Sequence, residues 1–207
     1  MLNQLLTKYP ALESSREAIA ATVILLISVF DRGNKLLACG NGGSAADCEH
    51  IVGELMKGFT RRRPVPENDR TRFSQFGPEG EYLCANLQKP LPAISLVSSV
   101  SLSTAFANDV AADLVFAQQV YGLGRPGDVL IALSTSGSSR NVVHAVRTAR
   151  ALDMHTVGLT GGSGGLLKDL CEITIAPAVD CTPDIQELHL PIYHYICKAV
   201  EQHFFDK

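Results

Sequence analysis

No two of the six cysteines, at 39, 48, 84, 171, 181 and 197, stand in a C-x-x-C spacing. That excludes a zinc knuckle and a thioredoxin-type redox motif. Cysteines scattered through 207 residues in this way are expected as reduced thiols in a cytoplasmic protein. Charge of one sign is missing too: 18 Lys and Arg against 21 Asp and Glu leave a net −3, so no basic surplus points to nucleic acid. No G-K-[ST] triplet is present, which excludes a Walker A nucleotide loop. The opening MLNQLLTKYP has no basic region leading into a long apolar run, and no signal peptide is expected. The apolar stretch AIAATVILLISVF at 18–30 is too short and too closely bounded by charge for a membrane span. It reads as a buried or subunit-interface helix. Internal repeats and low-complexity tracts are absent as well.

What remains is a chain of ordinary globular composition, 46% hydrophobic, expected to form one domain over 1–207. Ser14 with Glu17 three residues later has the form of a capping box, opening a helix that runs to about Phe30 within an N-terminal helical region of about 1–32. Short, nearly continuous apolar runs then recur at 35–40, 91–99, 128–137, 154–162 and 172–177, as strands buried on both faces do. Helical patterns lie between them at 44–58, 101–122, 139–152 and 164–171, and a last helix is expected over 182–203. The alternation predicts an α/β three-layer sandwich: a five-stranded parallel sheet flanked by helices, with an N-terminal helical extension. Residues 60–90 break the rhythm. They are polar, rich in Pro and Arg, and sit where a short loop would serve. They read as an insertion, and their arginines (61, 62, 63, 70 and 72) suit anion recognition, as a lid over the site would need.

Two loops are chemically marked. Gly40-Asn41-Gly42-Gly43-Ser44 follows the first strand, and Ser134 to Ser139, STSGSS, follows the third. Each precedes a helix, whose free N–H groups and dipole favour an anion. Ligands of parallel α/β sheets gather beyond such strand ends. The first loop also matches G-x-G-x-x-A through Ala45. A dinucleotide site, however, wants an acidic residue about twenty positions on, and Thr60-Arg61-Arg62-Arg63 stands there. The pair of loops reads better as a grip on a phosphorylated small molecule.

His50 and Glu54 share one helix face at i and i+4. The C-terminal helix carries Gln186, Glu187, His189 and His194, with Pro191 between the last two. His and Glu are ordinary zinc ligands and Gln a less usual one. Spacing alone leaves open whether the two helices meet.

The segments GNGGSAAD…H…GEL, AND, GRPGDVLIALSTSGSSRNV and IQELHLPIYH, in that order, resemble the sugar isomerase (SIS) domain family, specifically its phosphoheptose isomerase branch. The resemblance implies a cytoplasmic homotetramer with sites at subunit interfaces, no membrane or nucleic-acid partner, and interconversion of sedoheptulose 7-phosphate with an aldoheptose 7-phosphate. It implies one zinc per subunit on His50, Glu54, Gln186 and His194. It also implies substrate contacts from Asn41, Gly42, Gly43, Ser44, Glu54, Asn108, Asp109 and Gln186, and a phosphate grip from Ser134, Thr135, Ser136 and Ser139. The chemistry such an enzyme needs is proton transfer between neighbouring carbons through an enediol, with Glu54 as base and His194 as acid and base at the oxygens. Gly58 stands where the family often has arginine, and Ser99 where it often has aspartate. A second reading is a non-catalytic member that binds a sugar phosphate or a protein, of the replication-initiation-associated type. A third is a lyase or deaminating enzyme on a related phosphosugar. The four residues of the metal set favour the enzyme, because a pure binding module has no need of them.

Overall fold

Runs that are hydrophobic on both faces have to be covered on both faces, and that condition shapes the whole chain. In the computed structural model, which describes residues 1–206, five such runs become strands: β1 (Leu36–Cys39), β2 (Ala93–Ser95), β3 (Val129–Leu133), β4 (His155–Leu159) and β5 (Ile173–Ile175). They form one parallel sheet in the order β2-β1-β3-β4-β5. Every residue of β1 and β3 is buried. The helices are α1 (Leu2–Lys8), α2 (Arg16–Asp31), α3 (Gly43–Met56), α4 (Glu67–Phe73), α5 (Pro78–Asn86), α6 (Val100–Phe106), α7 (Val115–Leu123), α8 (Arg140–Ala151), α9 (Leu167–Leu170) and α10 (Thr182–Phe205).

Alternation along the strands divides the core between two layers. Leu36, Ala38, Ile131 and Leu133 pack in one cluster with Leu26 of α2, Ile51 and Leu55 of α3, and Ile192 and Ile196 of α10. Leu37, Cys39, Leu130 and Ala132 pack in the other with Val120 of α7 and with Val142 and Val146 of α8. Helix α8 shows why it lies there: its buried residues Val142, Val143, Ala145, Val146 and Ala149 fall on one stripe at helical spacing. The three-layer α/β sandwich with a five-stranded parallel sheet is therefore the architecture observed. All six cysteines are free thiols.

Local boundaries differ from expectation for identifiable reasons. The strands are shorter than their apolar runs, because hydrophobicity marks burial and the run continues into buried loop beyond the last ladder bond. The helix at the N-terminus begins at Arg16, not at a Ser14 capping box. Pro10–Ser15 form a 3₁₀ turn, and Ser15 occupies the N-cap without a side-chain bond. The helix expected over 164–171 shrinks to α9, since Gly164 and Gly165 hold positive φ values of 74° and 51°. Residues 60–90 contain α4 and α5, closed at their base by an antiparallel bridge between Pro64 and Gln88. The helix expected over 101–122 is broken by a π turn at Ala107–Ala111 and a 3₁₀ turn at Ala112–Leu114. Asn108, Asp109 and Val110 are weak helix formers in sequence.

Helix α2 buries Ile19, Leu26, Val29 and Phe30 in the chain's own core, leaving Ile24 exposed. More apolar surface lies on Val100–Leu123, where Val100, Val110 and Tyr121 are exposed. By length and composition alone that stretch is apolar enough to cross a membrane, and its most apolar 18 residues are 11% buried. Its irregular turns and its exposed Asn108 and Asp109 are poorly suited to lipid.

Candidate active site

The strand order reverses direction between β1 and β3, which are neighbours, and the crevice beyond such a switch point is where α/β sheets bind ligands. The two marked loops are the ones that leave β1 and β3 there. Gly42 takes φ +56° at the N-cap of α3, a backbone region that L side chains rarely occupy. Asn41 and Asn141 exchange amide bonds, Nδ2 of each donating to Oδ1 of the other at 2.9 Å, and so tie the first loop to the first turn of α8. In the second loop Ser134 is buried and its Oγ donates to Ser139 Oγ at 3.0 Å. The Ser138 N–H donates to Ser136 Oγ at 3.2 Å. Gly137, at φ +64°, lies so close to the Gly164 carbonyl that a Cβ would approach it to 2.0 Å. The loop is thus rigid, presents hydroxyls, and leads into the free N–H groups of α8.

Helices α3 and α10 run side by side in the same direction. Gln186 lies against Gly43, where a Cβ would meet its Nε2 at 2.5 Å, and further along both helices His194 meets His50. Their Nε2 atoms are 3.4 Å apart, and His50 Nε2 lies 3.2 Å from Glu54 Oε1. Lys57 Nζ reaches the other Glu54 oxygen at 3.3 Å. Behind His50, Tyr193 donates its hydroxyl proton to Asp47 at 3.2 Å and stands 3.0 Å from His50 Nδ1. With its own proton given to the carboxylate, the tyrosine oxygen accepts Nδ1–H from His50. His50 Nε2 faces Glu54 and His194. Burial holds His194 below the usual imidazole value, with the His50 charge acting the same way and Glu54 opposing. Burial pushes the Asp47 carboxyl up, against the Tyr193 bond and the charge of His50.

The donor set fits zinc in kind. Zinc takes imidazole nitrogen and carboxylate oxygen at about 2.0–2.2 Å in a tetrahedron, whose edges are then about 3.3–3.5 Å long. The His50–His194 separation is of that size and the His50–Glu54 separation is close to it. The Tyr193 bond to the far side of the His50 ring is the kind of support that metal-bound histidines receive. Among the described residues no three His, Cys, Asp or Glu side chains close around one point; Glu54 pairs with His50 and Lys57.

The structure sets His50 against both Glu54 and His194. Gln186 lies against Gly43, beside the first loop. His189 is buried on another side of α10, with Nε2 3.2 Å from the Thr160 carbonyl oxygen, and burial lowers its pKa to about 4. Asn108 and Asp109 are exposed and bond to each other at 2.8 Å. Their segment reaches the second loop through Asp113, which pairs with Arg140 at the start of α8 at 2.8 Å. Four of the arginines of 60–90 form ion pairs: Arg61 with Asp206, Arg63 with Glu201, Arg70 with Glu67 and Arg72 with Asp69. Arg63 is buried in the fold and does not face a ligand from above the loops. No arginine fits at Gly58 either, where a Cβ would come within 2.4 Å of the Arg61 carbonyl. Tyr193, Asp47 and Asn141 were not singled out by sequence, since no spacing rule links 47 to 193 or 41 to 141.

A family model described as SIS domain matches residues 3–76 and 84–161. A phosphoheptose isomerase from Synechocystis is 41% identical over 188 residues, covering 91% of this chain and 84% of that protein. One from Roseiflexus is 39% identical over 200 residues, covering 97% and 89%. The solved structure of a phosphoheptose isomerase from Francisella tularensis superposes with a TM-score of 0.78 at 32% identity, covering 94% of this chain and 91% of that one.

Proposed function

The chain belongs to the SIS domain family, and from that premise we propose that it is a phosphoheptose isomerase interconverting sedoheptulose 7-phosphate with its aldose partner. The observation that carries this reading is the parallel course of α3 and α10, which sets Glu54, His50 and His194 along the same crevice as the glycine-rich and the hydroxyl-rich loop at the sheet's switch point. The phosphate sits on Ser134, Thr135, Ser136 and Ser139 and the first turn of α8. The sugar is oriented by Asn41, Gly42, Gly43 and Ser44 and by the Gln186 amide beside them, with Asn108 and Asp109 at the margin.

Glu54 takes the C1 proton of the ketose and returns it to C2, and His194 moves a proton between the two oxygens. Such groups contribute about 10²–10⁴-fold each. Zinc would be held by His50, Glu54, Gln186 and His194 and would supply charge stabilisation for the enediolate. The test is direct: purified protein incubated with sedoheptulose 7-phosphate and followed by NMR should yield the aldose phosphate. Absence of any conversion across a panel of ketose and aldose phosphates overturns the reading.

The loop assignment has its own test. Ser136→Ala and Ser139→Ala should each weaken sugar-phosphate binding by about 0.5–1.5 kcal/mol, the worth of one ordinary hydrogen bond. Titration calorimetry that returned wild-type affinity for both would remove the phosphate from this loop.

The protein works as a cytoplasmic homotetramer in this proposal. The exposed apolar residues Ile24, Val100, Val110 and Tyr121 support burial between copies, more than the inward-facing α2 does. Light scattering at micromolar concentration should give four times the chain mass, and a monomer mass would refute it.

A further inference from the structure

Arg63 and Glu201 have no exposed surface, and neither belongs to the site described above. Their hydrogen bonds nonetheless end on it. Arg63 Nε and Nη2 reach Glu201 Oε1 at 2.9 and 2.8 Å. The remaining donors go to the end of α3: Nη1 to the Leu55 carbonyl at 2.6 Å and Nη2 to the carbonyl of Glu54 itself at 3.0 Å. The Glu201 carboxylate also accepts the N–H groups of Phe59 and Thr60 and the Thr60 hydroxyl, all at 2.7 Å. The Phe205 ring covers the guanidinium, 4.9 Å from its centre.

Three segments are thereby locked at one point: the C-terminal end of α3, the turn at 58–63, and α10 seven residues beyond His194. The last carbonyls of a helix have no partner of their own, and a cation there also meets the negative end of the helix dipole. The rigid fork of an arginine serves two carbonyls and a carboxylate at once, which a lysine cannot do. The carbonyl it holds at Glu54 is bonded to the Cα that carries the Glu54 side chain. We infer that Arg63 and Glu201 are positioning residues for the isomerisation. The clamp sets the reach of Glu54 on α3 relative to His194 on α10, and neither residue touches substrate.

The inference rests on the isomerase reading, and the experiment separates the two. Full-length Arg63→Lys and Glu201→Gln are compared with wild type, well below their melting temperatures, in two measurements: steady-state kinetics on sedoheptulose 7-phosphate, and the ring ¹⁵N resonances of His50 and His194. A displacement of about 1 Å in a reacting group costs on the order of 10²-fold. Both variants should therefore remain folded, keep KM within about two-fold, and lose kcat by about 10- to 100-fold, with displaced imidazole resonances and no further loss in the double variant. Displaced resonances in a protein whose wild type is inactive would uphold the clamp and overturn the isomerase reading. A lowered melting temperature with wild-type kcat and resonances would make the pair mere packing and overturn the clamp, as would failure of both variants to fold under any condition.

Discussion

Glu54→Gln should fold, bind sugar phosphate as the wild type does, and lose about 10²–10⁴-fold in turnover. The substitution keeps the size and planarity of the side chain and removes its ability to hold a proton. It also leaves untouched the Glu54 carbonyl, which is what Arg63 holds, so the end of α3 keeps its place. The phosphate loop lies on a different strand and should not notice, which is why KM is expected to stay while kcat falls. That split marks an interaction made only in the transition state. Glu54 has two other partners, His50 and Lys57, both exposed at this position, so their loss is worth little. Turnover within a few-fold of wild type would show that another group abstracts the proton. Zinc content measured on the same samples separates the two duties of this residue: a variant that keeps metal and loses turnover identifies Glu54 as base.

His50→Ala combined with His194→Ala should reduce the zinc content of the purified protein from about one per chain to none, measured by mass spectrometry of the metal after gel filtration. The two imidazoles supply the facing Nε2 atoms, and without them only Glu54 and Gln186 of the proposed set remain, too few ligands for a site that ordinarily takes three protein donors or four. Both residues lie on the surface of their helices and keep part of their exposure, so the double variant should fold. Tyr193→Phe belongs in the same series as a graded case. It removes the bond that fixes the His50 ring and should weaken metal affinity by about 10–100-fold without abolishing it. Unchanged metal content in the double variant would exclude this cluster as the zinc site.

The sheet and its two marked loops were legible because the signals are local. A run such as VLIAL can be satisfied only between two layers, and five such runs alternating with helices leave few alternatives to a parallel sheet. GNGGS and STSGSS could be read as anion loops from residue types alone, since glycine and hydroxyl side chains next to a helix start are sufficient for that chemistry. Residues 60–90 were read for composition and not for contacts. Five arginines in a polar stretch look like a lid, yet one of them, Arg63, is fully buried against Glu201. Nothing in the sequence near Arg63 announces Glu201, 138 residues away.

The sequence by itself determined the strand and helix alternation, the position of both loops, and the pairing of His50 with Glu54, because each depends on residues within one or two turns of one another. Tertiary structure alone decided which residue of α10 meets which residue of α3. The two helices run in the same direction from Gly43 and Gln186, so His194 arrives at His50. It also decided that Tyr193 and Asp47 would stand behind His50, and that Arg63 would turn inward to close the end of α3. The register between two packed helices is set by how their apolar faces fit the sheet and each other, and that fit is a property of the assembled core.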